Sequence, residues 1–354
     1  MKNIRFPVLV CLVVVVLLAL LVPGCGQQAT EETITLVFSF HDPDTNHQNV
    51  GIYQPWFDMI EERTDGRVQF ECHYNGELVS VQDAYDAVIN GTVDIAVIMP
   101  STMAQFPLEQ IVATPYYDIF TWRPSRVYYE LYQEYPEFQA EYSQVKPLIL
   151  YCMSPGFIGT TEKEVRTLED NAGLKMITAD PFASERAEAL GQVPVSCPPP
   201  EFYTTLEKGI ADGGDVVTLP EMITYNWADV INNITLVPFL HMANAVVMNK
   251  DKWESLPDDI KEIIDDLIPE AIDLADECQI LAYKDALERL PVEFGTTIIT
   301  LSPSELARFA EVDEPIRDAF IASLDAEGLP ATQIDDDYRT LSEKYAASEY
   351  EINP

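Results

Sequence analysis

The sequence of 354 residues has few of the side chains on which enzyme chemistry usually depends. It contains four histidines, and none of them stands in a His-Glu-x-x-His pattern. No Gly-x-Ser-x-Gly elbow occurs either, so nothing in the sequence argues for an enzyme. Basic residues are also scarce, with 21 lysines and arginines against 59 aspartates and glutamates. A net charge of −38 repels nucleic acid, and we expect no nucleic-acid partner.

Cysteine is sparse as well, and its spacing matches no metal or redox motif. The six cysteines are Cys11, Cys25, Cys72, Cys152, Cys197 and Cys278. The last four either pair in an exported protein or remain isolated buried thiols. The segment from Asp42 to Asn46 imitates the start of a calcium loop, but His47 takes the place of the required glycine. We therefore expect no metal and no cofactor.

The N-terminus has the pattern of a secretory signal. Lys2 and Arg5 precede an uncharged apolar run from Phe6 to Val22. The run leads to Gly24-Cys25, and a small residue before a cysteine resembles the lipobox of bacterial lipoproteins. This predicts cleavage after residue 24, diacylglycerol on Cys25 and attachment of the mature protein to the membrane, with residues 25–32 as a polar tether. The alternative is a retained transmembrane anchor. Both place the rest of the chain in the periplasm or another extracytoplasmic space.

A pattern that occurs twice predicts two similar lobes. Strand and helix signals alternate from Thr33 to Ile98, which implies a parallel sheet with crossover helices. Residues 83–94 and 201–212 share an acid, a tyrosine, an aliphatic residue, a glycine and an aspartate at the same spacing. The glycine-rich stretch LEKGIADGGDVV at 206–217 is therefore predicted to be a helix–glycine–strand corner and not a phosphate-binding loop.

The sequence predicts a long acidic amphipathic helix from Asp258 to Leu290, about 50 Å long. We expect Pro269 to kink or divide it. The predicted first lobe covers 33–152 with return strands at about 217–250, and the second covers 153–216 and is completed by about 251–300. Residues 301–354 are predicted to form a helical segment packed on the lobes.

Several segments, in order, resemble the solute-binding proteins of tripartite ATP-independent periplasmic (TRAP) transporters of the dicarboxylate-receptor, or DctP, type. They are FHDPDT at 40–45, EERTDGRVQFECHYNGEL at 61–78, AVINGTVDIAV at 87–97, GLKMITADP at 173–181, EFYTTLEKGIADGGD at 201–215 and VMNKDKWESLP at 247–257. The resemblance implies an α/β protein with the two-lobed periplasmic-binding-protein fold and a long helix that spans both lobes. It also implies capture of a small organic solute by lobe closure and delivery to TRAP-type membrane permease subunits.

The resemblance further implies a departure at the ligand site. The usual ligand of the family is a small carboxylate, held by an arginine whose position is Ile177 in this chain. A second arginine of some members corresponds to Ile158, and an asparagine of the family corresponds to Val216. Met99 stands at a position that is polar in some relatives. The predicted cleft is thus apolar, with His41, Asp180 and Asp215 as its polar groups.

From these substitutions we expect a ligand that is neutral, zwitterionic or largely apolar, with aromatic compounds among the candidates. This ligand would contact Trp227, Met99 and Ile177. The alternative keeps an ordinary carboxylate, such as a C4-dicarboxylate or a 2-oxo acid, bound by backbone amides, Lys175 or a bound cation. An exported enzyme and a lipoprotein with only a scaffolding role are the rival classes.

Overall fold

The computed structural model describes residues 33–114, 121–178, 181–197 and 201–346. The predicted signal peptide, the lipidation site Cys25, the tether, Asp180 and the last eight residues lie outside the described residues. Within them, no helix combines the length and the apolar character needed to cross a bilayer.

The first sheet has five strands in the order β2-β1-β3-β10-β4. These are β1 (Ile34–Ser39), β2 (Val68–His73), β3 (Ile95–Ile98), β4 (Val145–Cys152) and β10 (Ala243–Asn249). Strand β1 is parallel to β2 and β3, as the alternating strand and helix signals predict. Strand β10 enters antiparallel between β3 and β4.

The second sheet has six strands in the order β11-β9-β5-β8-β6-β7. They are β5 (Gly156–Thr160), β6 (Lys175–Thr178), β7 (Val193–Ser196), β8 (Gly213–Thr218), β9 (Asn233–Leu240) and β11 (Thr297–Ile299). The expected lobe boundaries therefore need a correction. Of the predicted return segment 217–250, only β10 joins the first sheet, because β8 and β9 both pair with β5 in the second.

Two short connectors between the sheets lie side by side. Residues 153–155 join β4 to β5, and residues 241–242 join β9 to β10. The Met153 amide donates a hydrogen bond of 2.9 Å to the Met242 carbonyl. These connectors form the hinge between what we call the first lobe and the second lobe, each consisting of one sheet and the helices packed on it.

The helices are mostly short, and two of them exceed twenty residues. They are α1 (Gln54–Arg63), α2 (Ala84–Ile89), α3 (Glu109–Ala113), α4 (Pro124–Glu134), α5 (Pro136–Glu141), α6 (Pro181–Ala189), α7 (Phe202–Glu207), α8 (Leu219–Thr224), α9 (Lys250–Ser255), α10 (Asp258–Arg289), α11 (Pro303–Ala326) and α12 (Ala331–Ala346). Single turns of π-helix precede α1 at Asn49–Tyr53 and follow α10 at Leu290–Phe294.

The long helix α10 packs on both lobes. Its first part, including Ile260 and Ile272, lies in the core of the first lobe. Its last part, including Ile280 and Tyr283, lies in a core of the second lobe. We expected Pro269 to kink or divide this helix, but the helix runs undivided through it.

The glycine-rich stretch forms the predicted corner. Gly91 and Gly209 follow α2 and α7, and both have a left-handed backbone, with φ of 69° and 66°. Such a conformation favours glycine at a helix C-terminus. Gly213 has a different reason: a Cβ atom there would lie 2.1 Å from the carbonyl oxygen of Gly159 on the neighbouring strand. The stretch is therefore a structural corner and a close strand contact.

Candidate functional site

The cleft between the lobes is lined by the loop that follows β1 and by α8, which follows β8. The carboxyl ends of parallel strands are where open α/β sheets bind ligands. Tyr225, at the end of α8, donates its hydroxyl to Oδ1 of Asp42 in the first lobe. Asn46 donates to the other oxygen of Asp42 at 3.0 Å. The Asp42 carboxylate is thus bound by neutral donors, one of them from the opposite lobe.

A tyrosine network fills the first-lobe side of the cleft. Tyr53 and Tyr151 donate to Oε1 of Gln48 at 3.1 and 2.5 Å, and the two hydroxyls also contact each other. Asn244 donates its amide to the Tyr151 hydroxyl at 3.0 Å. Burial raises the pKa of both tyrosines. These hydroxyls therefore stay protonated and act as neutral hydrogen-bonding groups.

A second contact between the lobes joins His47 and Glu221. Nε2 of His47 lies 3.9 Å from Oε1 of Glu221, which is beyond hydrogen-bond distance. The Thr218 hydroxyl donates to the other oxygen of Glu221. His47 Nε2 and Glu221 Oε1 are buried atoms without a hydrogen-bond partner. The contact between the lobes thus contains polar atoms for which the described part of the chain supplies no hydrogen-bond partner.

His41 lies beside Asp42 in the loop that follows β1. Its Nε2 is 3.9 Å from Asp42 Oδ1, and its ring meets that of Phe40 edge to face. Burial lowers the pKa of His41, although Asp42 opposes this shift. The imidazole is therefore a neutral polar group at neutral pH.

Trp227 already has aromatic partners from the protein. Its ring stacks with Phe202 at a centroid distance of 4.2 Å and with Tyr225 at 5.2 Å. Ile177 belongs to the same apolar cluster, and Val216 packs against it half-buried. Trp227 therefore supports Tyr225, which in turn reaches across the cleft to Asp42.

Ile177 and Ile158, which the resemblance aligns with the family arginines, lie on opposite faces of the second sheet. Ile177 is 1% exposed and packs in the cluster with Trp227. Ile158 is 0% exposed and packs with Met176 and Phe239 on the other face. Met99 is half-buried just after β3, beside the short turn Pro100–Thr102. Apolar side chains occupy all three positions.

Asp215 lies in the interior of the second lobe. It is 0% exposed and accepts a hydrogen bond of 3.3 Å from Gln192. Burial raises the pKa of Asp215 to about 6, although the nearby charge of Arg186 lowers it. Because the described neighbours of Asp215, Gln192 and Arg186, also lie inside the second lobe, we do not include Asp215 among the proposed ligand contacts. Lys175 is exposed at the start of β6, at the strand end opposite the cleft, and we exclude it too.

Arg186 is a buried cation that the sequence analysis missed. Its guanidinium donates to the Phe239 carbonyl at 3.0 Å and lies 3.7 Å from Asp313. It also lies over the Phe239 ring, 4.4 Å from the centroid. Arginine on a short helix is normally a surface residue, and no local pattern distinguishes this one.

The cross-lobe contacts were also missed, although one signal was available. Asp42, His47 and Gln48 follow β1 in a polar loop, and such loops carry the contacts at the ends of parallel strands. Tyr225 and Glu221 come from a helix more than 170 residues away in sequence. Among the described residues, no group of three or more histidine, cysteine or acidic side chains could hold a metal ion.

Comparisons with known proteins agree with this fold. The family model for bacterial extracellular solute-binding proteins of family 7, DctP, matches residues 39–323. The C4-dicarboxylate-binding periplasmic protein DctP of Rhodobacter capsulatus is 27% identical over 166 residues, which span 47% of this chain and 50% of that protein. The ectoine-binding periplasmic protein TeaA of Halomonas elongata is 24% identical over 283 residues, 76% of this chain and 80% of that protein.

Solved structures of TRAP solute-binding proteins are also similar. A Bordetella bronchiseptica protein with bound (R)- and (S)-mandelate has a TM-score of 0.80 and 22% identity, over 88% of this chain and 99% of its own. A marine metagenome protein specific for aromatic acids, with bound 3-hydroxybenzoate, has a TM-score of 0.78 and 26% identity, over 89% and 99%.

Proposed function

Because the chain belongs to the bacterial extracellular solute-binding proteins of family 7, a family of receptors and not of enzymes, we propose that it captures a solute that is not held by an arginine–carboxylate pair. In this proposal the ligand is neutral, zwitterionic or largely apolar. The two lobes close on it, and the closed receptor delivers it to TRAP-type permease subunits.

The observation that carries the proposal is the burial of Ile177 and Ile158, the two residues that the resemblance aligns with arginines of the family. A carboxylate taken out of water without an opposing cation loses its hydration with no compensation. Arg186, the buried guanidinium of the second lobe, is already engaged by Phe239 and Asp313. The cleft residues described above add two carboxylates, those of Asp42 and Glu221, which disfavour an anion further.

The named ligands of similar proteins support a small organic solute of varied charge. A relative binds ectoine by its name, while similar solved structures hold benzoate, mandelate and galacturonate. All four ring compounds carry a carboxylate, which ectoine balances with a cationic ring and the other three do not, so ectoine is the named ligand that agrees with the proposal. The remaining alternative for this chain is an ordinary carboxylate ligand bound through backbone amides.

Calorimetric titration tests the proposal. Succinate, malate, 2-oxo acids and uncharged or aromatic compounds would be titrated in parallel into the purified mature protein. We expect binding among the uncharged or aromatic compounds and no binding of succinate, malate or the 2-oxo acids. Micromolar binding of succinate or malate to the wild-type protein would overturn the proposal and favour the carboxylate alternative.

The proposed location of the mature protein is the periplasm or another extracytoplasmic space. A lipid on Cys25 would anchor it to the membrane. We expect the mature protein to partition into detergent and the Cys25→Ala variant to be released or mislocalised. Unchanged membrane attachment of the variant would instead indicate an uncleaved anchor.

A further inference from the structure

Glu221 carries a buried carboxylate oxygen that no group of the described chain binds. Its side chain is 5% exposed, and the Thr218 hydroxyl satisfies only Oε2. Oε1 has no hydrogen-bond partner. A buried acceptor left unpaired costs free energy, more so when it is charged. Such an atom in a ligand cleft indicates a place where the ligand supplies the donor.

Two further atoms of the first lobe have no hydrogen-bond partner among the described residues. His47 Nε2 lies 3.9 Å from Glu221 Oε1 and has no partner. Asn244 is 1% exposed, and its Oδ1 is also unpaired, while its amide nitrogen is bound to Tyr151. Both Glu221 Oε1 and Asn244 Oδ1 are acceptors. The ligand group that would satisfy them is therefore a hydrogen-bond donor.

The charges around this position are negative. Asp42 and Glu221 approach from opposite lobes, and their described hydrogen-bond donors are the neutral groups of Tyr225, Asn46 and Thr218. The imidazole Nε2 atoms of His41 and His47 lie 3.9 Å from Asp42 and Glu221, beyond hydrogen-bond distance. Among the contacts of the described residues, no lysine or arginine pairs with either acid. His41, the other titratable group beside Asp42, has its pKa lowered by burial. A positively charged donor is attracted to this environment, whereas an anion is repelled.

We propose that Glu221, in the field of Asp42, binds a positively charged nitrogen group of the ligand, such as an ammonium or an amidinium. The ligand is then an amine or a zwitterion, and the acids take the recognition role that an arginine has for carboxylates. This assignment rests on the proposed function, because it needs the cleft to be the solute site. Of the neutral, zwitterionic and apolar ligands of that proposal it keeps the zwitterions, and it adds amines that carry a cationic nitrogen and no carboxylate.

The test uses trios of compounds that share a skeleton and differ in charge. Benzylamine, benzyl alcohol and benzoate form one trio, and butylamine, butanol and butyrate form another. Zwitterions such as phenylglycine and ectoine are added. A thermal-shift screen finds the binders, and calorimetry measures their affinities for the wild type and for Glu221→Gln. Glu207→Gln, an exposed acid on α7, is the matched control.

We expect amines or zwitterions to bind at least tenfold more tightly than their alcohol partners. In Glu221→Gln this advantage should disappear, while the affinity for the alcohols stays unchanged and Glu207→Gln behaves as wild type. If Glu221 merely latched the lobes, the variant would weaken all classes equally, and that result would overturn the proposal. A screen in which no amine or zwitterion binds would overturn it as well.

The same screen separates this proposal from the broader one. Tight binding of benzoate or butyrate to the wild type would contradict the proposed function itself. Binding of the alcohols in preference to the amines would leave the proposed function standing and remove only the cationic head group.

Discussion

The two lobes bury their carboxylates in different ways. In the first lobe, Glu109 accepts a 2.9 Å hydrogen bond from the Tyr142 hydroxyl, and Glu141 accepts one of 3.0 Å from the Leu108 amide. These donors are neutral. In the second lobe, Asp215 and Asp313 lie near the guanidinium of Arg186.

The difference affects the pKa values of these buried carboxyl groups. Neutral donors do not offset the lost hydration of a carboxylate, so burial raises the pKa of Glu141 to about 8 and that of Glu109 well above its ordinary value. In the second lobe, the charge of Arg186 opposes the effect of burial on Asp215. These four acids thus differ in what opposes the cost of their burial: protonation for Glu109 and Glu141, and the charge of Arg186 for Asp215 and Asp313.

The largest expected effect comes from removing the buried cation of the second lobe. Arg186→Met should lower the free energy of unfolding by about 3–5 kcal/mol, because the buried acids lose their opposing charge. Denaturant titration measures this loss. Since the pKa of Asp215 is raised to about 6, protonation below that pH should make the loss smaller. A loss that is independent of pH would contradict the ionic role.

A second variant tests the close strand contact of the second sheet. In Gly213→Ala the new methyl would overlap the Gly159 carbonyl, and we expect a loss of about 1–3 kcal/mol or more. Gly156→Ala on β5 is the control, because its nearest neighbours would be 3.4 Å away. We expect a loss under ~1 kcal/mol for the control. Equal losses would show that the close contact is not the cause.

The pH dependence of stability tests the first lobe. A carboxyl whose folded pKa is raised loses its proton more easily in the unfolded chain, so stability falls as pH rises from the ordinary glutamate range to about 8. We expect a decrease over this interval and a smaller one in Glu109→Gln. Thermal unfolding of both proteins across this range measures it. An identical slope in the variant would contradict the role of Glu109.

The smallest expected effect concerns the contact that joins the lobes. Tyr225→Phe leaves Oδ1 of Asp42 without its donor from the second lobe. We expect a closed state weaker by about 1 kcal/mol and therefore about fivefold weaker ligand binding, with little change in overall stability. Calorimetry with any ligand found in the screen measures this. Tyr203→Phe is the control, and an equal effect there would count against the cross-lobe bond.

Local signals in the sequence were enough for much of the fold. The corner at Gly209 and the helix from Asp258 follow from glycine conformation and apolar periodicity, which act within a few residues. The sheet to which β9 belongs could not be inferred in this way, because its composition suits either sheet and only tertiary packing selects the partner.

In the candidate site, too, some residues could be named from the sequence and others could not. His41 was named as a polar group of the cleft from the family resemblance, and in the structure it lies beside Asp42 in the loop after β1; its contact with a ligand stays a prediction. The bond between Tyr225 and Asp42 joins residues 183 positions apart, and no local pattern encodes such a pairing. The burial of Arg186 depends on β9 and α11 meeting over α6, which is equally remote in sequence.

The long helix α10 also has a consequence for how the protein unfolds. Its beginning completes the core of the first lobe and its end completes a core of the second. Melting either lobe would expose one end of this helix and remove apolar contacts from the other lobe. A helix shared between two cores therefore couples them into one cooperative unit, in which the lobes can move relative to each other at the hinge but are expected to lose their structure together.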